Sequence, residues 1–454
     1  MSSSKISIKA ESRIPQSLFA LAWPIYIDLL LHLSTLFINT YMVIHVSKAY
    51  LAAMGVGNQV FNLSVTILSF ISVGCSVIVA QFLGAGNRNL ARKAIHLSIT
   101  FNILLGGCAA FCIAFFSKSI LIRLNTPAHL LDFAHDYLFL LGLCLLPEAI
   151  SLIFSACLRV YGYARTAMYV TLIANTVSVL GNFIALYGFA GIEPSGLWGV
   201  GLSTLAGRFV AVCLLLCLFL FALKFQFAFT HFFHWQKATL RKILHIGLPA
   251  AGENILWSSH YMIILGFVGL MGEAELAAQT LYFQFSLFIM SLGIAVSLAN
   301  EIMVGYYVGA KKYDDAYHCA FRSLRLGVVF TIILVTLFWF VRVPLLENFA
   351  DDAETLYLLL PLFSISFFLE PGRTFNIVMV NALRAAGDAR FPMYMGMIFM
   401  WGVAVPVAYV LGISYEWGLV GIWTGFFCDE WMRGLVNAWR WKSRKWQPAV
   451  TEKT

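Results

Sequence analysis

The residues of greatest chemical interest in this 454-residue chain are carboxylates set inside long apolar stretches. Asp28 lies in LAWPIYIDLLLHL and Glu253 in IGLPAAGENILW, 225 positions apart, and each follows a proline by four residues, Pro24 and Pro249 respectively. Proline disturbs a helix and leaves carbonyls without their usual donor. A carboxylate shielded from water takes up a proton more readily near neutral pH. Glu253 and Asp28 are therefore expected to bind and release protons or another coupling cation. His32 follows Asp28 by one helical turn on the same face, and is expected to hold that acid charged or to relay its proton. The plainer alternative is a carboxylate satisfied by nearby hydroxyls, or an Asp–His pair that only fixes packing.

Other ionisable groups also fall within apolar runs, where they are costly unless they face a cavity or a partner. Glu370 and Arg373 are three residues apart, Asp429, Glu430 and Arg433 cluster near the C-terminus, and Arg208 lies in the first half. These six are expected to form structural charge pairs. Glu301, Asn39, Asn182, Tyr41, Trp257, Tyr261 and Tyr282 are expected to line a cavity suited to planar or cationic compounds. For any single aromatic residue, core packing is the commoner role. The nine cysteines include Cys108/Cys112 and Cys213/Cys217, one helical turn apart and without His or carboxylate neighbours. They are read as buried structural thiols, and no metal or cofactor is expected. No Ser–His–Asp set or ligand-spaced histidines point to an enzyme.

What must position these groups follows from composition. The chain is 60% hydrophobic and 11% charged, with mean hydropathy +0.82, against about 25% charged residues in a soluble domain. Lipid must be its main solvent. The net charge of +8 does not indicate nucleic acid, because its Lys and Arg lie in short groups between apolar runs rather than on one face. Runs long enough to cross a ~30 Å hydrocarbon layer occur near 17–43, 56–83, 95–117, 134–157, 167–189 and 197–223. A second six occur near 243–270, 278–308, 320–342, 356–383, 392–412 and 416–439. The expected fold is an all-α polytopic membrane protein of twelve transmembrane helices in two pseudo-symmetric six-helix lobes. Its parts are a tail at 1–16, an N lobe at 17–223, a linker at 224–242, a C lobe at 243–440 and a tail at 441–454.

Loop charges orient the chain. Arg88, Arg92, Lys93, Arg159, Arg165, Lys311, Lys312, Arg384 and Arg390 lie at even-numbered junctions, with Lys5, Lys9 and Arg13 in the first tail. Odd junctions hold mainly acids, among them Glu273, Glu275, Glu347, Asp351 and Asp352. Both termini are thus expected on the cytoplasmic side.

The two halves are also an internal repeat. Pro24 returns as Pro249, Leu51-Ala52-Ala53 as Leu276-Ala277-Ala278, and Gly84-Ala85 as Gly309-Ala310. LRVYGYARTAMY at 158–169 returns as LRAAGDARFPMY at 383–394, again 225 residues on. Later the register slips, since GLWG at 196–199 matches GLVG at 418–421, an offset of 222. Each half has an even number of spans, so both enter the membrane in the same direction, with a pathway expected between them.

These residues resemble the multidrug and toxic compound extrusion (MATE) family of cation-coupled exporters, over about residues 15–440. The resemblance rests on LAWPI, NTYMV, LAAMGVGNQV and VAQFLGAGNRNLARKA in the first half. In the second it rests on IGLPAAGEN, ELAAQT, VGYYVGAKKYDDA and ALRAAGDARFPM. GEN, EPGRTFNIV and CDEWMRG look most like the DinF-like bacterial branch, some relatives of which are associated with flavin export. The resemblance implies a multi-pass protein of the bacterial cytoplasmic (inner) membrane that functions as a monomer. It implies a central V-shaped cavity and export of organic cations, drugs or aromatic metabolites driven by H⁺ or Na⁺. Two acidic positions of many relatives are here Asn39 and Asn182, and Arg373 stands where Na⁺-coupled relatives have an aspartate. These departures favour H⁺ coupling through Glu253. A flippase for lipid-linked precursors is the alternative.

Overall fold

The computed structural model of the chain describes residues 17–447 apart from 190, 192, 222, 224, 226–235 and 347–352. The tail at 1–16 with its basic residues, much of the linker expected at 224–242, Glu347, Asp351, Asp352 and residues 448–454 lie outside the described residues.

Twelve long helices account for nearly all of what is described. The first six are α1 (Leu18–Val46), α2 (Lys48–Gly84), α3 (Arg88–Arg123), α4 (Leu131–Val160), α5 (Ala164–Tyr187) and α6 (Gly196–Phe221). The second six are α7 (Lys237–Met271), α8 (Glu273–Gly309), α9 (Tyr313–Leu346), α10 (Ala353–Ala385), α11 (Arg390–Ser414) and α12 (Gly418–Lys442). Eleven are long and apolar enough to cross a membrane. The remaining one, α12, has 25 residues, about 37 Å, and misses on apolarity because Asp429, Glu430 and Arg433 occupy its middle. Pro24 and Pro249 are buried inside α1 and α7, which run on through them. In α11 the regular helix gives way to π turns at Met400–Ala404 and Val410–Ser414, on either side of Pro406.

Equivalent helices pack alike in the two lobes. α4 lies against α2, α3 and α6, and α10 lies against α8, α9 and α12. The lobes meet through α2 on α7, α1 on α8 and α2 on α8. Residues 74–80 of α2 and 299–306 of α8 are buried on every side, because each packs on its own lobe and on the other. One hydrophobic core joins both lobes here, with Ile71, Val79, Ile95 and Leu158 alongside Ala299, Val304, Ala320 and Leu383. Farther along, the core divides into one cluster around Leu138 and Leu141 and another around Leu362 and Trp423. The lobes are therefore fused at one end and separate at the other.

The fused end carries the α2–α3 and α8–α9 turns, and is the face where the basic residues gather. Gly84 and Gly309 make its close contact possible. A Cβ on Gly84 would enter the backbone of Tyr306, and one on Gly309 the backbone of Gln81. These two contacts are related by the 225-residue repeat. The following turns need a left-handed residue, supplied by Gly86 (φ 73°) in one half and by Lys311 (φ 59°) in the other.

One expectation is corrected here. Cys108, Cys112, Cys213 and Cys217 are exposed on the outer faces of α3 and α6 rather than buried. Lipid tails are as apolar as a protein interior, so hydropathy alone does not separate a lipid-facing thiol from a core one.

Candidate functional site

Each lobe holds a cavity bounded by equivalent helices. The N-lobe cavity, about 310 Å³, lies among α1, α2, α4, α5 and α6. Its polar lining includes the amides Asn39, Asn58, Asn62 and Asn175, together with His32, Tyr137, Arg208 and several hydroxyls. The C-lobe cavity, about 320 Å³, is lined by Glu253, Glu430, Arg373, Arg384, Arg433 and Trp257, with several amides. The two sit at different depths. α8 contributes residues 290–298, counterparts of 65–73, whereas α2 contributes 54–62. The C-lobe cavity thus reaches closer to the fused, basic face.

In each lobe the repeat places an ion pair between the first and fourth helices, outside the cavity lining in the N lobe and within it in the C lobe. Arg159 Nη2 binds Asp28 Oδ2 in the N lobe, and Arg384 Nη2 binds Glu253 Oε2 at 2.7 Å in the C lobe. Both pairs span 131 residues of sequence. Each arginine is the penultimate residue of its helix, so both pairs lie toward the basic face. Asp28, ten residues into the 29-residue α1, is a third of the way along. It is buried to 2% exposure and does not line the cavity, whereas Glu253 does. His32 opens into the N-lobe cavity within electrostatic reach of Asp28 and of the Arg208–Glu148 pair. The partner that holds Asp28 is Arg159, not His32.

A second pair is conserved in place and inverted in sign. Arg208 on α6 binds Glu148 on α4 at 2.8 Å. By the 225 offset of α4 and the 222 offset of α6, the counterparts of Glu148 and Arg208 are Arg373 and Glu430. These lie 3.5 Å apart in the C lobe. The C lobe then adds charges that the N lobe lacks. Arg373 Nη1 reaches Glu370 Oε1 at 3.0 Å, and Ser286 bridges both, accepting from Arg373 at 2.7 Å and donating to Glu370 at 2.6 Å. Arg433 grips Asp429 through two hydrogen bonds of 2.8 and 2.6 Å, and lies 3.2 Å from Glu430 and 4.0 Å from Glu253. The N-lobe counterparts of Asp429 and Arg433 are Gly207 and Ala211, with no side chain to ionise. The resulting C-lobe network sets four carboxylates against three guanidiniums, one negative charge in excess when all are ionised.

The ion pairs connect to the lobe junction. Gln81 Nε2 donates to the carbonyl of Ala385 at 2.7 Å, and the Tyr306 hydroxyl donates to the carbonyl of Val160 at 2.9 Å. These bonds cross between lobes and are repeat counterparts, 81 with 306 and 160 with 385. Each acceptor directly follows an ion-paired arginine, Arg159 or Arg384. A carboxylate lining or underlying a cavity is thereby tied, through one arginine and one peptide, to the bond that closes the basic face.

The expected cavity residues divide. Asn39 lines the N-lobe cavity, and the buried Asn182 side-chain amide behind it lies 2.9 Å from Asn39 Oδ1. Trp257 lines the C-lobe cavity and stacks on Tyr261 at 5.5 Å. Tyr41 is 66% exposed near the far end of α1 and touches neither cavity. Tyr282 is core: its hydroxyl lies 2.6 Å from Ser366 Oγ and its ring packs edge-on against Trp423. Glu301 is buried within electrostatic reach of Arg384, without lining the cavity. Arg159, Arg384, Glu148 and Gln81 were missed as site residues. The first two stand at matching places in the repeated LRVYG and LRAAG stretches, a signal obscured by their position at basic junctions.

Known proteins share this plan. A family model described as MatE matches residues 24–184 and 249–410, two stretches that begin 225 residues apart. The uncharacterized transporter YisQ of Bacillus subtilis (strain 168) is 35% identical over 433 residues, covering 95% of this chain and 94% of that protein. The probable multidrug resistance protein NorM of Thermotoga maritima is 25% identical over 407 residues, covering 89% and 87%. Among solved structures, a mutant of the Vibrio cholerae MATE transporter VcmN matches with TM-score 0.86 at 16% identity, over 96% of this chain and 98% of that one.

Proposed function

This chain belongs to the MatE family of multidrug and toxic compound extrusion transporters, and from that premise we propose that it is an H⁺-coupled antiporter exporting organic cations, drugs or aromatic metabolites such as flavins. The observation that carries this reading is the position of Glu253. It faces the C-lobe cavity, holds Arg384, and through Ala385 is linked to a bond that closes the basic face. When Glu253 takes up a proton, Arg384 loses its counter-charge and the end of α10 loses an anchor. The Gln81–Ala385 bond then weakens, which favours separation of the lobes at that face. Alternating access follows if the bound proton is released on the other side.

The cavity chemistry favours H⁺ over Na⁺. Each of the four network carboxylates already has at least one guanidinium partner, so a second cation would have to displace an arginine. A proton on one carboxylate neutralises the excess charge without doing so. The carboxylates Glu253 and Glu430 and the half-buried ring of Trp257 in the cavity wall supply contacts suited to a cationic, planar guest. A flippase for lipid-linked precursors is not favoured, because the similar proteins include probable multidrug resistance proteins. The basic face is taken as cytoplasmic, with both termini there, in a bacterial inner membrane. A single chain contains both lobes and needs no partner to form the path.

The test is efflux of a fluorescent organic cation from proteoliposomes under pH and Na⁺ gradients imposed separately. Efflux that follows the pH gradient and is lost in Glu253→Gln supports the reading. Efflux that follows Na⁺ alone, or proceeds unchanged in Glu253→Gln, removes the proposed coupling.

A further inference from the structure

A third cavity lies at the seam between the lobes, outside the N-lobe and C-lobe cavities. Near the basic face, the start of α1 meets the end of α8 and the first turns of α9 around a pocket of about 310 Å³. Its polar lining includes Tyr307, Asp315, His318, Cys319, Arg322 and Ser323. Leu18, Phe19 and Leu326 line this pocket and also an adjoining groove of about 100 Å³, which continues over Trp23, Tyr26, Leu292, Val296 and Phe330. The groove residues are all apolar or aromatic. A polar chamber thus opens directly into an apolar channel along the membrane-facing side of α1, α8 and α9.

Charge and depth identify the occupant. Arg322 is exposed and has no ion-pair partner among the described residues, and the same holds for Arg325 one turn on. Asp315, the acid in the pocket, lies seven residues nearer the start of α9. Arg322 is nine residues into that helix, about 14 Å, where a side chain meets the boundary between headgroups and hydrocarbon. Phe19 and Trp23 stack at 6.1 Å along α1 on one side of the groove, and both are more than half exposed, as interfacial aromatic residues are. A pocket between transmembrane helices that presents an arginine without an ion-pair partner and opens onto an apolar groove offers the chemistry that receives an anionic lipid headgroup with its chain.

We propose that this seam binds one anionic phospholipid, its phosphate on Arg322 with His318 and Tyr307 beside it, and one acyl chain in the groove past Trp23. Because α1 belongs to one lobe and α8 and α9 to the other, the lipid straps the two lobes together at the side.

The test uses the full-length protein in nanodiscs containing phospholipids brominated on an acyl chain. Subtracting the signal of Trp23→Phe isolates quenching of Trp23 from the other eleven tryptophans. Brominated phosphatidylglycerol is expected to quench Trp23 at about fivefold lower mole fraction than brominated phosphatidylcholine, the effect of one well-placed cation. Arg322→Gln, a substitution at an exposed site, is expected to abolish that preference, while Arg322→Lys and Lys312→Gln retain it. Equal quenching by the two lipids, or a preference unchanged in Arg322→Gln, overturns the proposal. So does loss of the preference on adding millimolar glycerol phosphate, which would assign the pocket to a soluble anion.

Discussion

Gln81 in the N lobe donates to the carbonyl of Ala385 in the C lobe, and the repeat reproduces this bond in reverse as Tyr306 to Val160. Two bonds of this kind, each worth about 1 kcal/mol, hold the basic face shut. Their joint loss in Gln81→Ala/Tyr306→Phe is expected to shift the lobe equilibrium toward opening by about 30-fold, and each single change by about fivefold. Spin labels at the exposed positions Asn89 and Lys312 report the distance across this face. A distance distribution identical to the parent protein's would dismiss the clasp.

Gly84 and Gly309 allow α2 and α8 to touch backbone to backbone. Gly84→Ala or Gly309→Ala places a methyl group into main-chain atoms that no rotamer change can clear. Each is expected to cost about 1–3 kcal/mol of the closed arrangement, seen as a lower thermal midpoint and a wider Asn89–Lys312 distance. Gly107→Ala, where a Cβ meets only open space, should leave the distance unchanged.

Glu253 and Asp28 are repeat counterparts with different surroundings, one in a cavity wall and one sealed below. Glu253→Gln is expected to reduce proton-driven efflux at least about tenfold, the scale of losing one general proton carrier, and Glu253→Asp to retain part of it. Asp28→Asn is expected to reduce folded yield more than transport per folded molecule, because it leaves Arg159 without its partner. Equal transport defects in the two variants, normalised to folded protein, would contradict this division.

The Glu148–Arg208 pair and its inverted counterpart offer a charge-swap experiment. Glu148→Gln or Arg208→Gln alone should lower stability by about 1–3 kcal/mol by stranding the partner in a partly buried site. Glu148→Arg/Arg208→Glu, which copies the polarity of the C lobe, should recover most of it. Thermal unfolding of the four proteins decides, and a swapped double variant no more stable than either single change would show that the pair does not stabilise in the expected way.

Tyr282 and Trp257 separate core from cavity. Tyr282→Phe removes the hydrogen bond with Ser366, and is expected to cost about 1 kcal/mol with an unchanged substrate profile. Trp257→Ala is expected to weaken binding of planar cations by a larger factor than binding of small ones. A substrate profile altered by Tyr282→Phe would return that ring to the cavity.

Some of this architecture was legible before any coordinates. Apolar runs and the constant offset are one-dimensional signals, and together they determined twelve spans, two parallel halves and the pairing of Asp28 with Glu253 as equivalents. They also contained the equivalence of Arg159 and Arg384, although a junction arginine reads first as a topology signal. The expectation that the lobes are unequal was likewise present in Asn39 and Asn182.

Tertiary structure alone decided who holds whom. Asp28 was expected to answer to His32, its neighbour along the helix, yet its partner lies 131 residues away on α4. That choice depends on how far one helix slides past another, which periodicity does not encode. The same holds for the roles of Tyr282 and of the α3 and α6 cysteines, since lipid and protein interior are equally apolar. Sequence thus placed the carboxylates at membrane depth. Only the approach of Arg384 on α10 to Glu253 on α7, and of Gln81 on α2 to Ala385 on α10, joined Glu253 to the closure of the lobes.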